Sequence, residues 1–432
     1  MPSRLPRWPE RILGPAPGLK EMNLLCWGCL FAFVVLPICT VLISHTRAGR
    51  PAPDADFVNF YAMGRILNGY PVDRLYDNEL QSRVREQIHP LETGWYGPLP
   101  QPPFVAILFR PLACMSYSAA HLLWMSVTLA LYLAGLVIAG ARLSHDPLRR
   151  SLVFCFALAF YPFTIETLIN GQLSAIGFFA LALALREEEL GRPLVSGLAL
   201  SVCLYKPTLL VLFLPMLFVT RRFKTLLGFA TGAVALICFT TALEGPRVWP
   251  ACLDMLLSFG RASAGVRTRS FLPLAKYVDL AAFSSLLPGG RSWPGLTFLS
   301  LFTVWAALSL LRLWWKSAGA AKPASTLMWA ATVTWTLVLN VYVPIYDSIL
   351  VVLSIVSTVG LLNEIPDEPL RRGLNVLWPL IFACSWITVD VARATGLQVF
   401  TVLLAALGML QFAAWPRLAR PSSSQATGPS QG

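Results

Sequence analysis

The sequence predicts an all-α polytopic membrane protein: a bundle of about 12–13 transmembrane helices with two long loops on one side. Three observations carry this. Of the 432 residues, 56% are hydrophobic and only 13% are charged, against about 25% charged in a soluble domain. The mean hydropathy is +0.62, and the apolar residues fall in long runs rather than in amphipathic stripes. The 14 Trp and 25 Phe suit a lipid-facing surface with aromatic anchors at the headgroups. The net charge of +12 gathers in short loops, as the positive-inside rule requires of cytoplasmic connections. It therefore points to a bilayer as partner and not to nucleic acid.

Residues 1–23 are basic and Pro-rich, with Arg4, Arg7, Arg11 and Lys20, and read as a cytoplasmic N-terminal segment. Leu24 to Ile43 is apolar for about twenty residues, long enough to cross a bilayer, with no small-residue cleavage site behind it. Residues 44–100 form the first long extracytoplasmic loop. Within it Phe57, Phe60, Tyr61, Gly64 and Leu67 share one helical face, Asn68-Gly69-Tyr70-Pro71 makes a turn, and Leu75 to Ile88 has the pattern of a second amphipathic helix. Pro102 to Met115 is apolar but short and holds Arg110, so both a crossing and a re-entrant hairpin stay open.

Further spans follow at 119–141, 152–169, 173–185, 194–205, 208–219, 226–243, 296–315, 327–343, 345–362, 376–389 and 397–415. The basic stretches Arg142 to Arg150, Arg221-Arg222-Phe223-Lys224, and Lys316 with Lys322 mark the cytoplasmic side. That leaves Asn170-Gly171-Gln172 outside, with Asp56, and makes residues 244–293 the second long extracytoplasmic loop, rich in Arg261, Arg267, Arg269 and Lys276. Residues 24–416 thus form one transmembrane domain, and 417–432 a Ser/Gln/Gly/Pro-rich cytoplasmic tail with the composition of a disordered segment. No internal repeat is evident.

The residues with chemical potential are few. Asp54-Ala-Asp56 sits where the chain leaves the first span, and two solvated loop acids would look the same. An Asp-x-Asp can hold a metal and a nucleotide sugar, but strand–helix alternation is absent, which argues against a nucleotide domain. The four His (His45, His89, His121, His145) are scattered, and the nine Cys lie mostly inside apolar runs. Neither a metal site nor a disulfide framework is expected, nor a cofactor. Ionisable groups inside spans are costly and are functional candidates by default. Here they are Glu166, Lys206, Asp347 and Asp390. Lys206 precedes Pro207, where a broken helix frees backbone groups, and its ammonium could hold a phosphate or could snorkel to the interface. Asp347 could serve a site or only complement a helix N-terminus.

Several short motifs agree in order and spacing with one known family. Asp56-Phe57 with Tyr61, Leu67-Asn68-Gly69, Leu75-Tyr76-Asp77, Pro102-Pro103-Phe104, Phe109-Arg110-Pro111-Leu112, Asn170-Gly171-Gln172, Lys206-Pro207 and Pro344-Ile345-Tyr346-Asp347 resemble the bacterial DUF2029 family, glycosyltransferase family 87. The resemblance spans residues 50–362. It implies a GT-C-type helical bundle in the bacterial plasma (inner) membrane, with an extracytoplasmic active site under the first loop. It implies an inverting transfer of a hexose, most simply mannose, from a polyprenyl-phosphate-sugar donor to a glycolipid or glycan acceptor. Asp56 would be the general base. Asp54, Asn59, Tyr61, Tyr96, Asn170, Gln172, Lys206, Arg267, Arg269, Tyr346 and Asp347 would line the substrate site. Two positions depart from the family pattern: Gln101 stands where an aromatic often precedes the Pro-Pro pair, and Tyr346 where His is common. Arabinose or another sugar on the same carrier is the alternative within the family. A transporter or flippase is the alternative outside it, and would use broken helices with midplane charges in repeated halves.

Overall fold

The computed structural model describes residue 24 and residues 27–39, 56–88, 99–143, 147–265, 273–290, 292–317 and 320–419. The protein is an all-α polytopic membrane protein; among the described residues helices and turns account for the regular structure, with one isolated bridge between Tyr277 and Pro344.

Among the described residues, four unbroken helices are long and apolar enough to cross a bilayer: Tyr117–Gly140, Phe223–Glu244, Trp293–Lys316 and Val399–Leu418. Two further pairs are bent, Pro147–Leu158 with Pro162–Ile169 by 48° and Glu368–Cys384 with Thr388–Thr395 by 77°. Shorter apolar helices complete the bundle at Trp27–Cys39, Pro193–Tyr205, Pro207–Val219, Val248–Ser258 and Ile345–Gly360. The breaks have local causes. Pro162 starts a π-helical segment that ends at Ile169, and Pro207 interrupts the run at Lys206, whose backbone (φ −144°, ψ 83°) leaves the helix. A proline there removes an N–H and crowds the preceding turn.

Close packing follows small residues, as expected where lipid leaves no hydrophobic force between helices. A Cβ on Gly197 would stand 2.6 Å from the Phe229 backbone nitrogen, and Gly228 lies against the Leu194 carbonyl, so Pro193–Ser201 and Phe223–Glu244 meet backbone to backbone. At the end of the bundle away from the first loop, Glu188 pairs with Arg222, whose guanidinium lies 5.0 Å over the Trp314 ring. Thr326 donates to Glu189 at 2.5 Å beside it.

The first loop forms two helices, Phe57–Gly69 and Asn78–Ile88. The shared apolar face of the first is buried throughout, and Gly64 lets it lie on the backbone of Phe109. The length of the segment from Pro102 bears on the choice between crossing and hairpin. Its helix, Pro103–Phe109, has 7 residues, about 10 Å at 1.5 Å per residue, and a 3-10 turn at Leu112–Cys114 ends it. That falls well short of a hydrocarbon core about 30 Å thick, so this helix does not cross by itself. Arg110 fastens it, bonding Asn68 at 3.1 Å and pairing with the buried Glu244 at 2.6 Å. The second loop is more regular than its polar composition suggests. It contains the 18-residue helix Val248–Gly265, whose Val248, Cys252 and Met255 pack on Ala62, Ile66 and Leu80 of the first loop.

Candidate active site

Asp56 precedes the helix Phe57–Gly69 at its N-terminus, and its side chain makes no capping bond there. The carboxylate is instead met by two amides. Gln172 Nε2 donates to Oδ2 at 2.6 Å, and Asn59 Nδ2 to Oδ1 at 3.4 Å. An ionised carboxylate accepts and cannot donate, so two amide N–H groups are matched partners for it. Asn59 is oriented in turn by Arg85, whose Nη1 donates to its Oδ1 at 3.0 Å. Arg85 is 1% exposed and is also braced on the Gln81 carbonyl at 3.0 Å.

The Asn170-Gly171-Gln172 turn is the seat of this carboxylate. Phe57 N–H donates to the Asn170 carbonyl at 2.8 Å. Gly171 has φ +78°, a left-handed conformation that favours glycine, and a Cβ there would lie 2.7 Å from Phe57 Cβ. Two side chains of Tyr117–Gly140 hold the turn from behind: His121 Nε2 donates to the Ile169 carbonyl and Trp124 Nε1 to the Gly171 carbonyl, each at 2.9 Å. His121 stacks on Phe57 with ring centroids 4.8 Å apart. Glu166, buried in the π-helical segment, accepts from Tyr161 at 2.8 Å and Asn170 Nδ2 at 3.2 Å, and pairs with Lys276 of the second loop at 3.1 Å.

A second cluster adjoins it. Asp347 is 1% exposed and is bonded by Ser174 Oγ at 3.0 Å and by Lys206 Nζ. The Lys206 ammonium also lies 5.1 Å from the Tyr342 ring centroid and 4.9 Å from that of Tyr346. Ser174 lies two residues beyond Gln172, so its bond to Asp347 joins this cluster to the Asp56 carboxylate. The second loop closes against this turn: Val278 N–H donates to the Val343 carbonyl at 2.9 Å, Val343 N–H to Asp279 at 3.1 Å, and Tyr277 meets Tyr342 edge to face at 5.3 Å. Burial among Tyr342 and the nearby acids pushes the Tyr277 phenol well above its ordinary range.

Asp56, Asn59, Asn170, Gln172, Lys206, Tyr346 and Asp347 are therefore brought together across the bundle. Tyr61 is not: it is 2% exposed and its hydroxyl donates to the Met115 carbonyl at 2.7 Å, so it packs the loop onto the segment that follows Pro103–Phe109. Asp54, Tyr96, Arg267 and Arg269 lie outside the described residues. Asp390 is exposed and pairs with Arg393 at 3.4 Å. Arg85, His121, Trp124, Glu166 and Lys276 support the site without having been marked as part of it by motif. Two of them did carry a signal: Glu166 as an ionisable group inside a span, and Lys276 as one of the basic residues of the second loop. Among the described residues no group of three or more His, Cys, Asp or Glu is gathered as a metal site would require.

The family model of glycosyltransferase family 87 matches residues 101–340, more than half of the chain. The match takes in Asn170, Gln172 and Lys206, and stops short of Asp56 on one side and of Tyr346 and Asp347 on the other. No curated protein and no solved structure matches significantly.

Proposed function

The chain belongs to glycosyltransferase family 87, and from that premise we propose that it transfers mannose from a polyprenyl-phosphate carrier to a glycolipid or glycan on the extracytoplasmic face of a bacterial plasma membrane, with a GT-C-type arrangement. The observation that carries the reading is the seating of Asp56. It stands at the start of the first-loop helix, addressed by the side-chain amides of Gln172 and Asn59.

A lipid phosphate is already a good leaving group, so the chemistry asks for one base and for charge stabilisation of the departing phosphate. The acceptor hydroxyl attacks the anomeric carbon from the face opposite the phosphate. Its proton passes to Asp56, the bond from carbon to phosphate oxygen breaks, and the anomeric centre inverts. A positioned base of this kind contributes about 10²–10⁴-fold.

Lys206 is the phosphate contact within the described residues. An ammonium has three N–H donors; one is engaged by Asp347, and the side chain is 16% exposed, so the others can reach a phosphate oxygen. Arg267 and Arg269 of the second loop are proposed to add charge, and Tyr346 to meet the sugar beside Asp56. Asp54 and Tyr96 complete the proposed lining.

The test supplies membranes holding the protein with radiolabelled polyprenyl-phosphate mannose and, separately, polyprenyl-phosphate arabinose. Label from mannose entering a lipid or glycan, with an inverted anomeric centre, is the expected result. Label from arabinose alone would reassign the sugar. Transfer from neither donor would overturn the reading.

A further inference from the structure

We propose that Lys276 and Glu166 act as a positioning pair through which the second extracytoplasmic loop sets the place of the Asp56 carboxylate; the inference rests on the glycosyltransferase reading for its catalytic consequence. The path is continuous. Lys276 Nζ meets Glu166 Oε1 at 3.1 Å, and Glu166 Oε2 takes Asn170 Nδ2 at 3.2 Å. The Asn170 carbonyl takes the N–H of Phe57 at 2.8 Å, the residue that follows Asp56.

Both ends of this path are fixed. Glu166 is 3% exposed, and a buried carboxylate needs both charge compensation and hydrogen bonds. Tyr161 and Asn170 provide the hydrogen bonds, and Lys276 provides a cation. The short segment carrying Lys276 is pinned on either side of it. Gln398 Nε2 donates to the Ala275 carbonyl at 2.6 Å, Tyr277 bridges to Pro344, and Val278 is bonded to Val343. The lysine therefore reaches Glu166 from a rigid platform. Without its cation partner, the buried Glu166 carboxylate turns toward water. That alters what Asn170 faces, and with it the carbonyl that holds Phe57.

The test uses the full-length protein in detergent or nanodiscs and two readouts. The first is hydrogen exchange of the backbone segment that begins at Phe57, which needs no substrate. The second is steady-state transfer. Lys276→Met is expected to speed exchange at Phe57 at least tenfold and to lower kcat at least tenfold, with KM for the donor within twofold of wild type. Lys276→Arg is expected to restore both. Arg372→Ala, which removes an exposed ion pair with Glu368, is expected to change neither. Lys276→Gln, which keeps a hydrogen bond and loses the charge, serves if the Met variant does not accumulate. Unchanged exchange at Phe57 in the Met or Gln variant overturns the proposal. So does a rise in KM at constant kcat, which would make Lys276 a donor-binding residue. Exchange decides the coupling, and transfer by the wild type decides the glycosyltransferase reading, so the two can fail separately.

Discussion

Replacing Lys206 by methionine should destabilise the protein far more than the loss of one hydrogen bond. Asp347 would keep Ser174 at 3.0 Å but lose its ammonium partner while remaining 1% exposed. A single net hydrogen bond contributes about 1 kcal/mol, and the two ring contacts of the ammonium about 0.5–1 kcal/mol each. Breaking a buried ion pair from one side costs about 3–5 kcal/mol, because it strands the other charge. The stranded Asp347 therefore dominates, and the folded population ratio should fall by more than a hundredfold at about 1.4 kcal/mol per factor of ten. In a thermal melt of the detergent-purified protein this is a drop of roughly 3–6 °C, at about 2.1 cal/mol/K per residue. Adding Asp347→Asn should recover most of it, since an uncharged amide can still face Ser174. A loss under about 1 kcal/mol in Lys206→Met, or a double variant no more stable than the single, would refute the reasoning and make the pair a solvated one.

Other outcomes follow from the same geometry. Gly171→Ala should lower kcat about tenfold or more, because an alanine at φ +78° with its Cβ 2.7 Å from Phe57 must displace the residue beside the base; transfer kinetics with an intact melting curve check this. Gln172→Leu removes the 2.6 Å donor to Asp56 and should reduce kcat while leaving donor KM near wild type. Arg85→Met should reduce kcat and also destabilise the first loop, since the guanidinium bonds both Asn59 and the Gln81 carbonyl; limited proteolysis of the loop reports the second effect. Asp77 offers a pH test. Its bond to Arg74, then the N–H of Leu80, hold its carboxyl below the ordinary 3.8. A depressed carboxyl stabilises above its unfolded value and loses that contribution as pH falls through the folded one. An NMR titration should show the Asp77 midpoint rising toward 3.8 in Arg74→Ala.

The long apolar runs were legible because length and composition suffice there. The sequence reading at 119–141, 226–243, 296–315 and 397–415 corresponds to the helices Tyr117–Gly140, Phe223–Glu244, Trp293–Lys316 and Val399–Leu418. Boundaries suffered where charge misled. The acidic run Glu187-Glu188-Glu189 falls between the spans read at 173–185 and 194–205, yet the helix from Ser174 continues through it, since Arg222, Arg192 and Thr326 satisfy its carboxylates. The run at 152–169 reads as one span, but Pro162 turns it by 48°. The helix Val248–Gly265 was hidden in the second loop because only its inner face is committed to packing and its outer one shows Leu253, Leu256 and Leu257 to the surroundings.

At the site, the motif residues Asp56, Gln172, Lys206 and Asp347 could be named in advance, but the partner of each could not. The bond from Gln172 to Asp56 closes 116 residues, and that from Lys206 to Asp347 closes 141. Only the folded bundle makes such pairs. For Tyr61 the sequence shows an aromatic in the right loop, while burial and the Met115 carbonyl give it a packing partner instead.

The most direct test compares wild type with Asp56→Asn at equal expression in membrane vesicles, following label from polyprenyl-phosphate mannose into lipid or glycan. Asparagine keeps the size of the side chain and cannot take the acceptor proton. The account predicts that transfer falls by about 10²–10⁴-fold while the donor still binds. Transfer by the variant at the wild-type rate would contradict it and remove Asp56 as the base.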